Sequence, residues 1–242
     1  MYVVQLSTVT PSAPTRGTAA SAKERLSRAA VARAAIALVD AEGLDALTVR
    51  RLATGLGVTP MALYWHFKDK DALLDGVVEQ LLSEVELGDE DVTTPWDARL
   101  REALEALLAG LAAHPAAADL VKKRILLNDP GREIAERILR LLREGGCSPE
   151  QASQLGVYAL LFLTSLVADE PGLAVGTPED ERDQQVRARW AALQALSPKR
   201  FPVLIDSAAT LTDCDASQQW LDFGLETLMS GIRGQAPRRR GT

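Results

Sequence analysis

Aromatic residues are scarce in this chain, with Phe, Trp and Tyr filling 11 of 242 positions. Two cysteines, Cys147 and Cys214, and two histidines, His66 and His114, are too few for a disulfide framework or a Cys/His metal cluster. Their scarcity fits a reducing, cytoplasmic compartment. There is no Gly-rich phosphate loop, no nucleophile elbow and no His beside a Ser or Cys, so no catalytic residue and no metal or organic cofactor is expected. The longest apolar stretch, "LGVYALLFLTSLVA", runs for 14 residues and is broken by Gly156, Thr164 and Ser165. A membrane helix needs about 20. The N-terminus "MYVVQLSTVTPSAPTRGTAAS" lacks the basic start and apolar centre of a signal peptide.

What is present is 47% hydrophobic and 25% charged, the balance of a globular protein, with an Ala, Leu, Arg and Glu bias that leans to helix. The net charge of −6 conceals an asymmetry. Residues 21–70 hold 8 Lys/Arg against 5 Asp/Glu, whereas residues 71–232 hold 14 against 28. A basic segment thus rides on an acidic body, and a nucleic-acid site belongs in the first 70 residues. Residues 1–20 and the tail 234–242 are polar and aperiodic, and read as disordered.

Between these ends the pattern predicts one helix after another, an all-α fold. Five starts pair a Thr or Ser cap with a following Pro: Thr59-Pro60, Thr94-Pro95, Ser148-Pro149, Thr177-Pro178 and Ser197-Pro198. Helices are expected from Ser27 to Gly43, from Thr48, from Thr59 and from Asp69. Further ones follow over 95–113, 115–127, 131–144, 149–169, 178–196, 198–210 and 215–232. The boundaries suggest a reader over 21–70 and a larger helical domain over 71–233.

Three of the few rings, Tyr64, Trp65 and Phe67, fall in "VTPMALYWHFKDK". Two short helices around a Gly-bearing turn, behind a supporting helix, form a helix-turn-helix, whose second helix enters the major groove. Leu63 and Phe67 face inward on this reading and anchor a helix too short to stand alone. Tyr64 and Trp65 lean towards phosphates, with Lys68, Lys70 and the first amides beyond Asp69 along the same edge. The run "LTVRRLATGLGVTPMALYWHFKDKDALLDGV", Leu47 to Val77, resembles the DNA-binding region of the TetR family of transcriptional regulators. "LYWHF.DK..LL" is closest in pattern to tetracycline-repressor-type members. The likeness continues through "PWDARLREALEALLAGLAAHP" and "FGLETLMSGI", and is weakest over 170–210.

The resemblance implies a homodimeric, ligand-responsive repressor of a palindromic operator. By motif position, Thr48, Arg50, Thr59, Pro60, Met61 and Ala62 approach bases, Tyr64, Trp65, His66 and Lys70 hold the backbone, and Arg51 also belongs to the DNA-binding set. Arg50 is the leading base reader, since its fork fits guanine O6 and N7. The apolar Pro60, Met61 and Ala62 suit thymine methyls. Two apolar helices, near 149–169 and 215–232, resemble the family's four-helix dimer interface. Where tetracycline repressors use His, Asn and His for drug and magnesium, this chain has Glu86, Ala103 and Val121, which argues against a metal-chelated drug. An effector pocket is expected among these three positions and Leu100, Leu104, Leu107, Arg124, Tyr158, Phe162 and Thr164, taking a largely hydrophobic small molecule. The rival reading is a helical small-molecule-binding or interaction module that no longer reads DNA.

Overall fold

Four local caps shape the N-terminal unit of the computed structural model, which describes residues 26–88, 91–168, 179–212 and 217–236. The Ser27 hydroxyl accepts a hydrogen bond from the Ala30 amide (3.1 Å) and opens α1, Arg28–Glu42. Gly43, at φ 83°, closes it in a conformation that suits glycine. After a 3-10 turn at Leu44–Ala46, Thr48 caps α2, Val49–Gly55, and Thr59 caps α3, Pro60–Tyr64. Gly57 turns the chain between them at φ 66°. Asp69 then accepts from the Ala72 amide (2.8 Å) and starts α4, Lys70–Ser83. Val31, Ala35, Val39, Leu47, Leu52, Leu63, Phe67 and Val77 form the core of this unit, all nearly or fully buried.

The larger unit contains α5, Trp96–Ala113; α6, Pro115–Arg124, with a 3-10 turn at Ile125–Leu127; α7, Asp129–Glu144; and α8, Pro149–Ala168. Next come α9, Glu179–Gln194, two short helices α10, Pro202–Asp206, and α11, Ala208–Thr212, and the last helix α12, Ser217–Gln235. No strand occurs among the described residues. Leu100, Leu104, Leu107, Leu111, Ile134, Leu141, Leu142 and Leu163 make the central core, and α8 packs on α5, α6, α7 and α12.

Several boundaries differ from the sequence expectation. At Thr94-Pro95 the Thr94 hydroxyl donates to Asp91 (3.2 Å) instead of capping, and α5 begins at Trp96 without a side-chain cap. Asp91 also accepts from the amide and hydroxyl of Thr93, and these bonds hold its carboxyl below the usual range. At Ser197-Pro198 only a turn forms, and the expected 198–210 helix is the pair α10 and α11. Ser148 behaves as expected and adds a reciprocal bond, its amide donating to Gln151 Oε1 (2.9 Å) while Gln151 N donates to its hydroxyl (3.2 Å). α7 starts before residue 131 because Asn128 caps the Gly131 amide (2.9 Å). The last helix continues to Gln235, into the stretch expected to be tail. The arm 1–20, the Thr177-Pro178 cap and residues from 237 lie outside the described residues.

α8 is apolar along most of its length. Counting its polar first turns, it is 20 residues and by length and composition apolar enough to cross a membrane. Its two sides differ in burial. Ala152, Ala159, Leu163, Leu166 and Val167 face the core, while Val157, Tyr158, Leu161 and Phe162 are exposed.

Candidate nucleic-acid interface and effector cavity

The inward and outward residues of α3 separate by helical phase. Leu63 and Phe67 are buried, whereas Met61, Tyr64 and Trp65 are exposed, Trp65 to 85%. Exposing that much ring area on a folded monomer is costly unless a partner covers it. Thr48, Arg50, Thr59, Pro60 and Lys70 are exposed with them, and Ala62 and His66 are half-buried. The structure therefore brings the expected DNA-facing residues onto adjoining surfaces of α2, α3 and the start of α4. Arg51 differs in engagement, since its guanidinium pairs with Glu42 at the end of α1.

A second concavity opens between α5, α7 and α8. Leu104, Leu107, Ile138, Leu139, Gly156 and Leu160 enclose about 220 Å³, and Ile125 and Leu126 of the 3-10 turn form one wall. Ser153 supplies the one polar side chain among the described lining residues. α8 passes close to α7 at Gly156, where an added Cβ would lie 3.1 Å from the Leu139 side chain.

Of the ten residues expected from sequence to line a pocket, Leu104 and Leu107 line this cavity. Leu100, Ala103 and Val121 are fully buried in the core beside it. Tyr158 and Phe162 point outward, because α8 turns that stripe away from the bundle. Thr164 is buried, and its hydroxyl donates to the carbonyls of Leu160 and Leu161 in its own helix. Glu86 is exposed and borders a separate shallow hollow with Val85, Gly110 and His114. Arg124 turns towards the N-terminal unit, donating to Asp71 (3.0 Å) and pairing with Asp75. Partial burial disfavours its charge, but the bonds to Asp75 and Asp71 outweigh this and raise its pKa.

Sequence reasoning missed both the wall at Ile125–Leu126 and the role of Arg124. No local signal marks the first. The second could have been sought in the acidic pair Asp71 and Asp75, one turn apart on α4. His114 makes another contact between the units: its Nδ1 lies 2.8 Å from Asp40 of α1. It closes α5, between the helices expected over 95–113 and 115–127. Cys147 is buried, and that burial raises its thiol pKa despite Arg143 nearby.

A helix-turn-helix unit with an exposed ring-and-lysine face, bolted to a helical domain with an apolar cavity, defines a DNA-binding regulator. Residues 31–77 match the model described as "Bacterial regulatory proteins, tetR family", and residues 87–236 match "Tetracyclin repressor-like, C-terminal domain". The chain belongs to the TetR family of transcriptional regulators, which bind operators as dimers and respond to small molecules.

Among curated relatives, the tetracycline repressor protein class C of Escherichia coli is 32% identical over 224 residues, covering 86% of this chain and 91% of the relative. The HTH-type transcriptional repressor DrrR1 of Streptomyces coeruleorubidus is 28% identical over 239 residues, covering 94% and 83%. Among solved structures, the TetR family protein ActR of Streptomyces coelicolor in complex with actinorhodin is 31% identical with a TM-score of 0.73. That match covers 88% of this chain and 99% of ActR.

Proposed function

We propose that this protein is a cytoplasmic, non-enzymatic repressor that holds a palindromic operator as a homodimer and releases it on binding an apolar small molecule. The observation that carries the reading is the adjacency of Arg124 to the cavity wall. Arg124 ends α6 and grips α4, and the next two residues, Ile125 and Leu126, line the cavity. A molecule entering between α5, α7 and α8 presses on the turn that holds the lever to the DNA reader. α4 follows the recognition helix directly, so a change in its angle moves α3 of each subunit relative to its half-site. Operator half-sites lie about 34–36 Å apart, one DNA turn.

The lining favours an uncharged effector, since no described side chain there offers a counter-charge and Ser153 offers one hydroxyl. No metal-binding cluster of His, Cys, Asp and Glu occurs among the described residues. With Ala103 and Val121 in the core and Glu86 on the surface, the positions of the tetracycline and magnesium contacts do not assemble around this cavity. ActR, which was solved with actinorhodin, supports a natural-product class of effector.

Ligand binding drives release only by differential affinity for the released state. Moving occupancy from 99:1 to 1:99 takes about 5.5 kcal/mol of preference. Reciprocity then requires operator DNA to weaken effector binding by the same factor. Calorimetric titration of an effector identified by thermal-shift screening is expected to give weaker binding to the operator complex than to free protein. In Arg124→Met the two affinities are expected to converge while the free-protein affinity stays close to wild type. Equal affinities in the wild type would refute the release mechanism.

A further inference from the structure

Arg28, the first residue of α1, grips the corner where the recognition helix ends. Its Nη1 donates to the His66 carbonyl (3.0 Å), and its guanidinium carbon lies 4.4 Å from the centroid of the Phe67 ring. Its Nη2 lies 3.5 Å from Glu79 of α4. The Phe67 ring is itself seated in a notch of α4 at Gly76, where an added Cβ would overlap it. One side chain thus ties the start of α1, the exit of α3 and the middle of α4.

We propose that Arg28 is a positioning residue for DNA reading: it sets the orientation of the Tyr64–His66 edge and is not itself a phosphate contact. The proposal rests on the DNA-reading function above. The last carbonyls of a helix lack partners within it, and α3 has only five residues to stabilise its own end. The amides of His66 and Phe67 return to Leu63 (2.9 and 3.0 Å), but the His66 carbonyl is held from outside, by Arg28. Tyr64 and Trp65, immediately before it, are the exposed rings of the interface. The contact set needs arginine. A planar guanidinium can stack on a ring and donate from separate nitrogens to a carbonyl and a carboxylate, whereas an ammonium is a point donor. Glu79 sets a carboxylate 3.5 Å from Nη2 on the α4 side.

The test compares full-length wild type, Arg28→Gln and Arg28→Lys on two duplexes of equal length. One is the inverted repeat recovered by selection from a random pool, and the other is its scramble. Loss of a charge-assisted bond of this kind is expected to weaken binding to the inverted repeat about tenfold or more in Arg28→Gln. Binding to the scramble should fall alongside it, because the Tyr64–His66 edge holds the backbone of any duplex, while the salt slope should stay as in wild type and Arg28→Lys should rescue only in part. Amide exchange in the free protein should quicken at residues 66–69 and not in α7 or α8. Non-additive losses in Arg28→Gln/Glu79→Gln would support the shared grip.

A salt slope flatter by about 0.9 and full rescue by lysine would make Arg28 a phosphate contact and overturn the proposal. Faster exchange throughout the N-terminal unit would reduce it to a general stability role and overturn it equally. If wild type recovers no duplex, the DNA-reading function fails, and the inference falls with it.

Discussion

Phe223→Glu is expected to yield a folded monomer that has lost the operator. Phe223 is 74% exposed on α12 and stands beside Trp220 on the same helix and Phe162 of α8, around one apolar groove. Val157, Tyr158 and Leu161 extend the strip along α8. A face this apolar on a folded chain marks an interaction surface. In a two-fold dimer each residue meets its own copy's neighbourhood, so one substitution places two carboxylates in the same interface. Burying an unpaired charge there costs several kcal/mol, enough to split a standard interface. A monomer keeps one half-site contact and loses the linked second one, which is worth about 10²–10⁴ in affinity. Sedimentation velocity should show the monomer, circular dichroism should be unchanged, and operator binding should vanish at concentrations that saturate wild type. A Phe223→Glu dimer with intact DNA binding would move the interface elsewhere.

Phe67→Ala has the largest expected effect on stability. The ring is 4% exposed, lies against Gly76 and carries the Arg28 guanidinium over it. Removing a buried Phe costs about 3–5 kcal/mol, and here the void opens at the junction of α1, α3 and α4. α3 has no other large anchor than Leu63. Hydrogen exchange is expected to show the N-terminal unit losing most protection and α5, α7 and α8 losing less, since the void opens at one end of a core that runs through both units. DNA binding should fall with the unit. Uniform loss of protection across both units would show that they unfold as one, against this account.

These two residues also show how much could be read from sequence. Phe67 and Leu63 were legible as inward because the signals around them are local: caps at Thr48, Thr59 and Asp69, a glycine turn, and helical phase within ten residues. Arg124 was not, because its acidic partners stand 49 and 53 positions away and meet it only when α6 packs on α4. Tyr158 and Phe162 failed for another reason. α8 is apolar on two faces, and periodicity cannot say which face lines a cavity and which awaits a partner. The cavity took the stripe with Ser153, Gly156 and Leu160, and the outer surface took the rings. Thr94 shows the limit of even a local signal: a competing carboxylate three residues back, Asp91, took the hydroxyl that was expected to cap a helix.

The most direct test of the account is selection of binding sites from a random duplex pool at ~150 mM salt, where nonspecific attraction is weakened. Wild type should enrich an inverted repeat with half-site centres one helical turn apart. Tyr64→Ala, stripped of an exposed backbone-facing ring, should enrich nothing, and Arg50→Ala should recover the same repeat with relaxed preference at one position in each half-site. Wild type that enriches no sequence, under conditions where the dimer is intact, would contradict the account and favour a helical ligand-binding module that no longer reads DNA.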